Sequence, residues 1–235
     1  MDLGPELTSR LAAAPPGLHL TALTLAVVGG LAVVLVPQLW QALRIAVTLV
    51  HELGHAIVGV AFGRRFTGFV VRGDMSGHAV TVGPARGLGR IATTWAGYPM
   101  PGIVGLLAVW SATSGYAARL LFASALTLCI VFVFLRSAGT LFTVALAAAG
   151  LGALWWWATP ETQALVLLAV GLVLLIGAWR HLGALTSRHG RADRGSDANV
   201  LRQLTGIPAL VWIVSFAAVL AGCTWEATLL LFALV

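Results

Sequence analysis

Lysine is absent from this 235-residue chain, and charge of either sign is scarce. Asp, Glu, Lys and Arg together make up 9% of the residues, against about 25% in an ordinary soluble domain. So few charges cannot cover a water-facing surface. A soluble globular fold of this length is excluded, and most of the chain must face lipid. Cysteine is nearly missing too. Cys129 and Cys223 both lie in apolar runs without metal-ligand spacing, so they read as small buried hydrophobes and no disulfide framework is expected. The first seventeen residues, MDLGPELTSRLAAAPPG, begin with acids and have no basic leader region. They read as a short tail that is not cleaved as a signal peptide.

What the chain has is apolar length: 59% of its residues are hydrophobic. Runs of about 20 such residues match the thickness of a bilayer core. The pattern predicts an all-α polytopic membrane protein in one domain, 1–235, with about seven transmembrane helices. The expected spans are 18–36, ending at Pro37, then 43–62, 91–111, 116–135, 139–158, 162–179, and 207 to the C-terminus. The fifth ends in Trp155, Trp156 and Trp157, a cluster that suits a headgroup belt.

All fourteen basic residues are arginines, and ten of them lie in two connections. Residues 63–90 hold five arginines against Asp74, and residues 180–202 hold five against Asp193 and Asp197. Basic loops of this kind stay in the cytoplasm. They account for the net charge of +6 without any nucleic-acid partner. Seven spans would place both loops and the N-terminus in the cytoplasm. The basic connection after the sixth span is expected to remain a loop over 180–206. Within the first loop, "FTGFVVRGDMSGHAVTVG" (66–83) reads as a small β-hairpin, two β-branched or aromatic runs around a glycine-bearing turn.

The second span carries "TLVHELGHAIVG" (48–59). On a helix, His51 and His55 fall on one face a turn apart, where they can share a metal ion, and Glu52 projects beside them. This is the HExxH arrangement of zinc hydrolases. Two imidazoles, a third protein ligand and a water complete such a site, with the glutamate as general base. From the frequencies of His and Glu, a chance occurrence is on the order of a few parts per thousand. An unpartnered glutamate costs a few kcal/mol at bilayer depth, which argues that this one is used. His55 precedes Phe62 by seven residues, so the metal is expected about 10 Å below the cytoplasmic boundary. The third ligand is open among Asp74, His78, His181, His189, Asp193 and Asp197.

HELGH on an early span, a hairpin after it and an acidic residue before a late span resemble the site-2 protease family of intramembrane zinc metalloproteases, in particular its bacterial M50B-like branch. "WAGYPMPGIVG" (95–105) is similar to the small-residue, proline-bearing segment that follows the hairpin there, and "GSDANVLRQLTGIPALVW" (195–212) to the late segment. The resemblance implies Asp197 as third ligand beside His51 and His55, Zn2+ as cofactor and Glu52 as catalytic base. It also implies a bacterial plasma-membrane location, and a transmembrane protein substrate cut near the cytoplasmic face. The Asn-Pro-x-x-x-x-Asp-Gly pattern of better-known members is not present; Ala198 follows Asp197. Two other readings use the same residues: a catalytically silent metal-binding scaffold that binds partner helices, and an ion transporter. The transporter reading expects broken-helix pairs or an inverted repeat, and neither is visible. Substrate identity and oligomeric state are not written in the sequence.

Overall fold

The computed structural model describes residues 3–14, 17–71, 77–135, 138–187 and 193–234. It is mostly helical. After α1 (Leu3–Arg10) come α2 (Leu20–Leu35) and α3 (Pro37–Ala61), then the hairpin β1 (Arg65–Val71) and β2 (Gly77–Val82). The chain continues through α4 (Leu88–Trp95), α5 (Pro99–Thr113), α6 (Ala117–Phe132), α7 (Ala138–Trp157) and α8 (Pro160–Thr186), and ends with α9 (Asp197–Thr205) and α10 (Ala209–Phe232).

Local chemistry sets these boundaries. Val36 is extended and Pro37 occupies the first turn of α3, because proline has no N–H to give a preceding helix but fits a helix start. α3 ends in a Schellman motif. Arg64 N–H donates to Gly59 O, Gly63 N–H donates to Val60 O, and Gly63 adopts φ 73, where a side chain would be strained. Thr159 caps α8 by accepting from Thr162 N–H, with Pro160 following. Gly206 closes α9 at φ 77. The expected hairpin is present as an antiparallel pair, Arg65 opposite Val82 and Val71 opposite Gly77, with an irregularity between Phe66 and Gly68.

Among the described residues seven apolar helices occur, but they do not make seven equal spans. Among the described residues, α3, α7, α8 and α10 are long and apolar enough to cross a membrane, while Leu23–Leu35, α5 and α6 are shorter. The span expected over 91–111 is broken into α4 and α5 by a turn at 96–98. The sixth span extends to Thr186, so Arg180 and His181, expected in a loop, are helical. Apolar pattern alone understates α8 because its last turns are buried by protein: Leu182 and Leu185 are buried.

α5 and α8 pack antiparallel. A Cβ on Gly105 would fall 2.9 Å from Gly171 O, and one on Gly171 would fall 2.8 Å from Gly105 O. Between helices in lipid the hydrophobic effect adds little, so close backbone approach at small residues supplies the packing. One core cluster, with Ala117, Leu121, Trp155 and Ala164, lies toward the α5–α6 and α7–α8 turns. A second, with Tyr98, Leu182, Leu201 and Phe216, lies at the other end. Trp155 is buried against Phe122 at 4.8 Å, and Trp156 lies under the Arg10 guanidinium. Of the three tryptophans expected in a headgroup belt, Trp157 is the exposed one.

The N-terminal segment belongs to the first of these ends. Ala14 N–H donates to Gly115 O at 3.0 Å, Arg119 Nε donates to Leu11 O at 2.7 Å, and Arg10 reaches Trp156 O. The hairpin, α4 and α9 occupy the opposite end. α2 runs beside α8 from the N-terminal end, with Gly30 against Leu172 and Val34 O accepting from Arg180 Nη1. Trp40 and Val47, two turns apart on α3, both meet α8 at Gly177. α3 therefore crosses over α8 there instead of running back along it. The expectation that N-terminus and basic loops share a side rested on α2 and α3 being a pair of full crossings, and this packing separates them.

Candidate metal centre

α3 crosses α8 at the level where three polar side chains meet. The helical period of α3 brings His51 and His55 together, with their Nε2 atoms 3.2 Å apart. His51 and Glu52 are buried, and a Glu52 carboxylate oxygen lies within 4.8 Å of both ligand-type nitrogens. From 142 positions further on, Asp197 Oδ2 stands 3.4 Å from His51 Nε2 and 3.4 Å from His55 Nε2. A tetrahedral zinc with bonds near 2.0–2.1 Å has ligand-to-ligand edges of about 3.3–3.4 Å. The triangle of 3.2, 3.4 and 3.4 Å has that size.

The hydrogen bonding agrees with a cation site. His55 Nδ1–H donates to Thr93 O at 2.7 Å, which leaves the Nε2 lone pair facing the other two atoms, the orientation metal-ligating histidines adopt. Asp197 Oδ2 is buried and accepts no hydrogen bond of ordinary geometry. A buried carboxylate oxygen left this way calls for a ligand or an ion. Burial opposes the charge on Asp197, yet the imidazole of His55 and then that of His51 hold its carboxyl below the usual carboxylate range.

The surrounding backbone is fitted closely to this cluster. The turn at 96–98 presses against α3. A Cβ on Gly54 would fall 2.8 Å from Ala96 O, and a Cβ on Gly97 would fall 2.5 Å from His55 Cε1 and Nε2 and 2.7 Å from His51 Cε1. The absence of a Cβ at Gly97 is what lets this turn come so near. Asp197 opens α9, and Ala198 and Leu201 anchor that helix in the core. Ser196 precedes it but makes no side-chain cap; its hydroxyl donates to Asp193 O.

Among the described candidates for a third ligand, Asp197 alone has a carboxylate at the two imidazoles. His181, on α8, comes beside the cluster with its ring centroid 4.9 Å from that of His51. Asp193 is exposed and accepts from Gly195 N–H in the turn before α9. His78 is on β2, opposite Val70. Asp74 and His189 lie outside the described residues. Sequence reasoning missed Thr93, whose contribution is a main-chain oxygen and leaves no side-chain signal. It also missed Tyr98, whose ring is 4.9 Å from His51 and 5.1 Å from His181.

The His51, Glu52 and His55 group, which could hold a metal, is set on an apolar helix of membrane length. No individual curated protein and no solved structure matches the chain. The family model described as Peptidase M50B-like matches residues 24–227, a stretch that includes α3, the hairpin, α8 and α9. The chain is a membrane protein of the Peptidase M50B-like family.

Proposed function

We propose that the protein is a zinc-dependent intramembrane endopeptidase that hydrolyses membrane-embedded or membrane-adjacent protein segments near the cytoplasmic face of a bacterial plasma membrane. The observation that carries this reading is the triangle of His51 Nε2, His55 Nε2 and Asp197 Oδ2, with edges of 3.2–3.4 Å and Glu52 beside it.

The three residues would hold the ion. Zinc, when bound, lowers the pKa of a water toward about 7 and polarises the scissile carbonyl. Glu52 takes the proton from the attacking water and delivers it to the departing amide nitrogen. Thr93 O keeps the His55 ring in the one tautomer that faces the ion. The position of His51 beside His181, five residues before Thr186, supports a depth of about 8 Å from the end of α8. With the basic loops cytoplasmic, the N-terminal segment at the opposite end falls on the external side.

A substrate helix hides its carbonyls in its own hydrogen bonds and must unwind to be cut. The two-stranded hairpin next to α3 has outer strand edges suited to pairing with such an unwound segment. Crosslinking a trapped substrate to β1 or β2 supports this placement, and crosslinks confined to α8 and α10 count against it.

The deciding experiment pairs two variants of the purified protein. Glu52→Gln is expected to retain one zinc per chain and to lose hydrolysis of a model transmembrane substrate by about 10²–10⁴-fold. His51→Ala is expected to lose the zinc. Undiminished cleavage by Glu52→Gln would sink the assignment. A zinc-loaded parent without peptidase activity would favour the silent scaffold.

A further inference from the structure

Tyr98 and His181 stand beside His51, and neither has a hydrogen-bond partner among the described residues. The three rings form a triangle with centroid separations of 4.9, 4.9 and 5.1 Å. They come from three separate elements: α3, the 96–98 turn and α8. The other ligands are backed differently, His55 by Thr93 O and Asp197 by α9. The His51 flank is therefore where two uncommitted donors approach the cluster.

Their surroundings hold them still. Tyr98 stacks on Phe216 at 5.1 Å with planes 13° apart and meets His51 edge-on at 88°. Tyr98 is buried in an apolar cluster with Phe216, Leu182, Leu185 and Leu201, and His181 beside it is half-buried. A phenol or an imidazole in a largely apolar setting without a protein partner is unfavourable. Such groups persist where a bound molecule completes them. A preorganised donor beside the reacting group is the arrangement that stabilises charge developing on a reacting oxygen.

We propose that His181 and Tyr98 are further catalytic residues that donate an imidazole N–H and a phenol O–H to the carbonyl oxygen of the scissile peptide. The inference rests on the peptidase reading and names the residues that bind the reacting oxygen. As the water oxygen bonds to the carbonyl carbon, the C=O electron pair moves to oxygen. The water proton goes to Glu52 and then to the amide nitrogen as the C–N bond breaks. His181 and Tyr98 keep their protons throughout and act only as hydrogen-bond donors, so neither has to titrate.

The test uses the full zinc-loaded chain in detergent, with His181→Phe and Tyr98→Phe. Both variants keep a ring for packing and remove the donor. Three readouts separate the possible roles: zinc per chain, kcat and KM on a model transmembrane substrate, and the affinity for a phosphinic peptide whose charged oxygens imitate the transition state. The assignment expects one zinc retained, kcat down about 10²–10³-fold with little change in KM, and phosphinate affinity reduced by a similar factor. His181→Gln, which keeps an N–H, should recover part of both losses. Zinc lost from either variant would make that residue a metal ligand and overturn the proposal. Unchanged kcat and phosphinate affinity would overturn it as well. If His181→Phe does not fold, Tyr98→Phe, whose ring stays stacked on Phe216, decides. A parent that cleaves nothing defeats the peptidase reading, whereas the phosphinate measurement needs no turnover and decides the donor assignment by itself.

Discussion

His55 donates its Nδ1–H to the carbonyl oxygen of Thr93 across 2.7 Å, so a helix that supplies no side chain to the cluster sets the tautomer of a ligand in it. α4 and α3 are held in this relation by glycines on both sides, Gly54 and Gly97. The first consequence concerns that contact. Gly97→Ala places a methyl 2.5 Å from the His55 ring and must push α4 and α5 away from α3. Outer-sphere support of a metal ligand is worth about 10–100-fold in affinity, and a loss of that order is expected in a zinc competition titration. Gly222→Ala, where the added carbon meets nothing within 4 Å, should bind zinc as the parent does.

Asp197→Asn retains the shape of the side chain but removes the charge that faces both imidazoles at 3.4 Å. Zinc stoichiometry after gel filtration in a mild chelator should fall well below one. Ser196→Ala is expected to leave zinc content unchanged, because the Ser196 hydroxyl does not cap α9. The opposite pattern, with Ser196 critical and Asp197 dispensable, would mean that Asp197 serves the helix start and not the ion.

Packing between α5 and α8 predicts a stability effect away from the site. Gly171→Leu forces side-chain volume into a contact where Gly105 O already lies 2.8 Å from an added Cβ. Overpacking of this kind costs about 1–3 kcal/mol or more, read as a lower unfolding temperature in detergent. Gly152→Leu on α7, in open space, should stay within about 0.5 kcal/mol of the parent.

The arrangement of ends gives a topological prediction. In a background with Cys129 and Cys223 replaced, Ser9→Cys and Ala85→Cys are exposed positions at opposite ends of the bundle. A membrane-impermeant maleimide should label them from opposite faces of sealed vesicles. Labelling of both from one face would restore the pairing of N-terminus and basic loops that seven full crossings require.

Much of the fold follows from short-range chemistry. Pro37, Gly63 and Pro160 mark helix ends in the sequence because their backbone constraints act within one turn. The hairpin is recognisable from β-branched runs around a turn for the same reason. Hydrophobicity could not disclose where α8 ends, since its final turns are buried by protein and not by lipid, nor that the third span breaks at Gly97. The aromatic belt misled at Trp155 because a tryptophan in the protein core and one in a headgroup region look alike in a sequence.

By itself the sequence determined that the protein lives in a membrane and that His51, Glu52 and His55 share one helix face, because a helix repeats every 3.6 residues whatever surrounds it. It also narrowed the third ligand to six residues. Only the tertiary structure brought Asp197 Oδ2 to 3.4 Å from both rings, placed Tyr98 and His181 beside them, and laid α3 across α8. Those relations depend on where helices far apart in the chain cross, which is decided by close contacts such as Gly177 against Val47 and Gly105 against Gly171. Such contacts have no local period from which a sequence could reveal them.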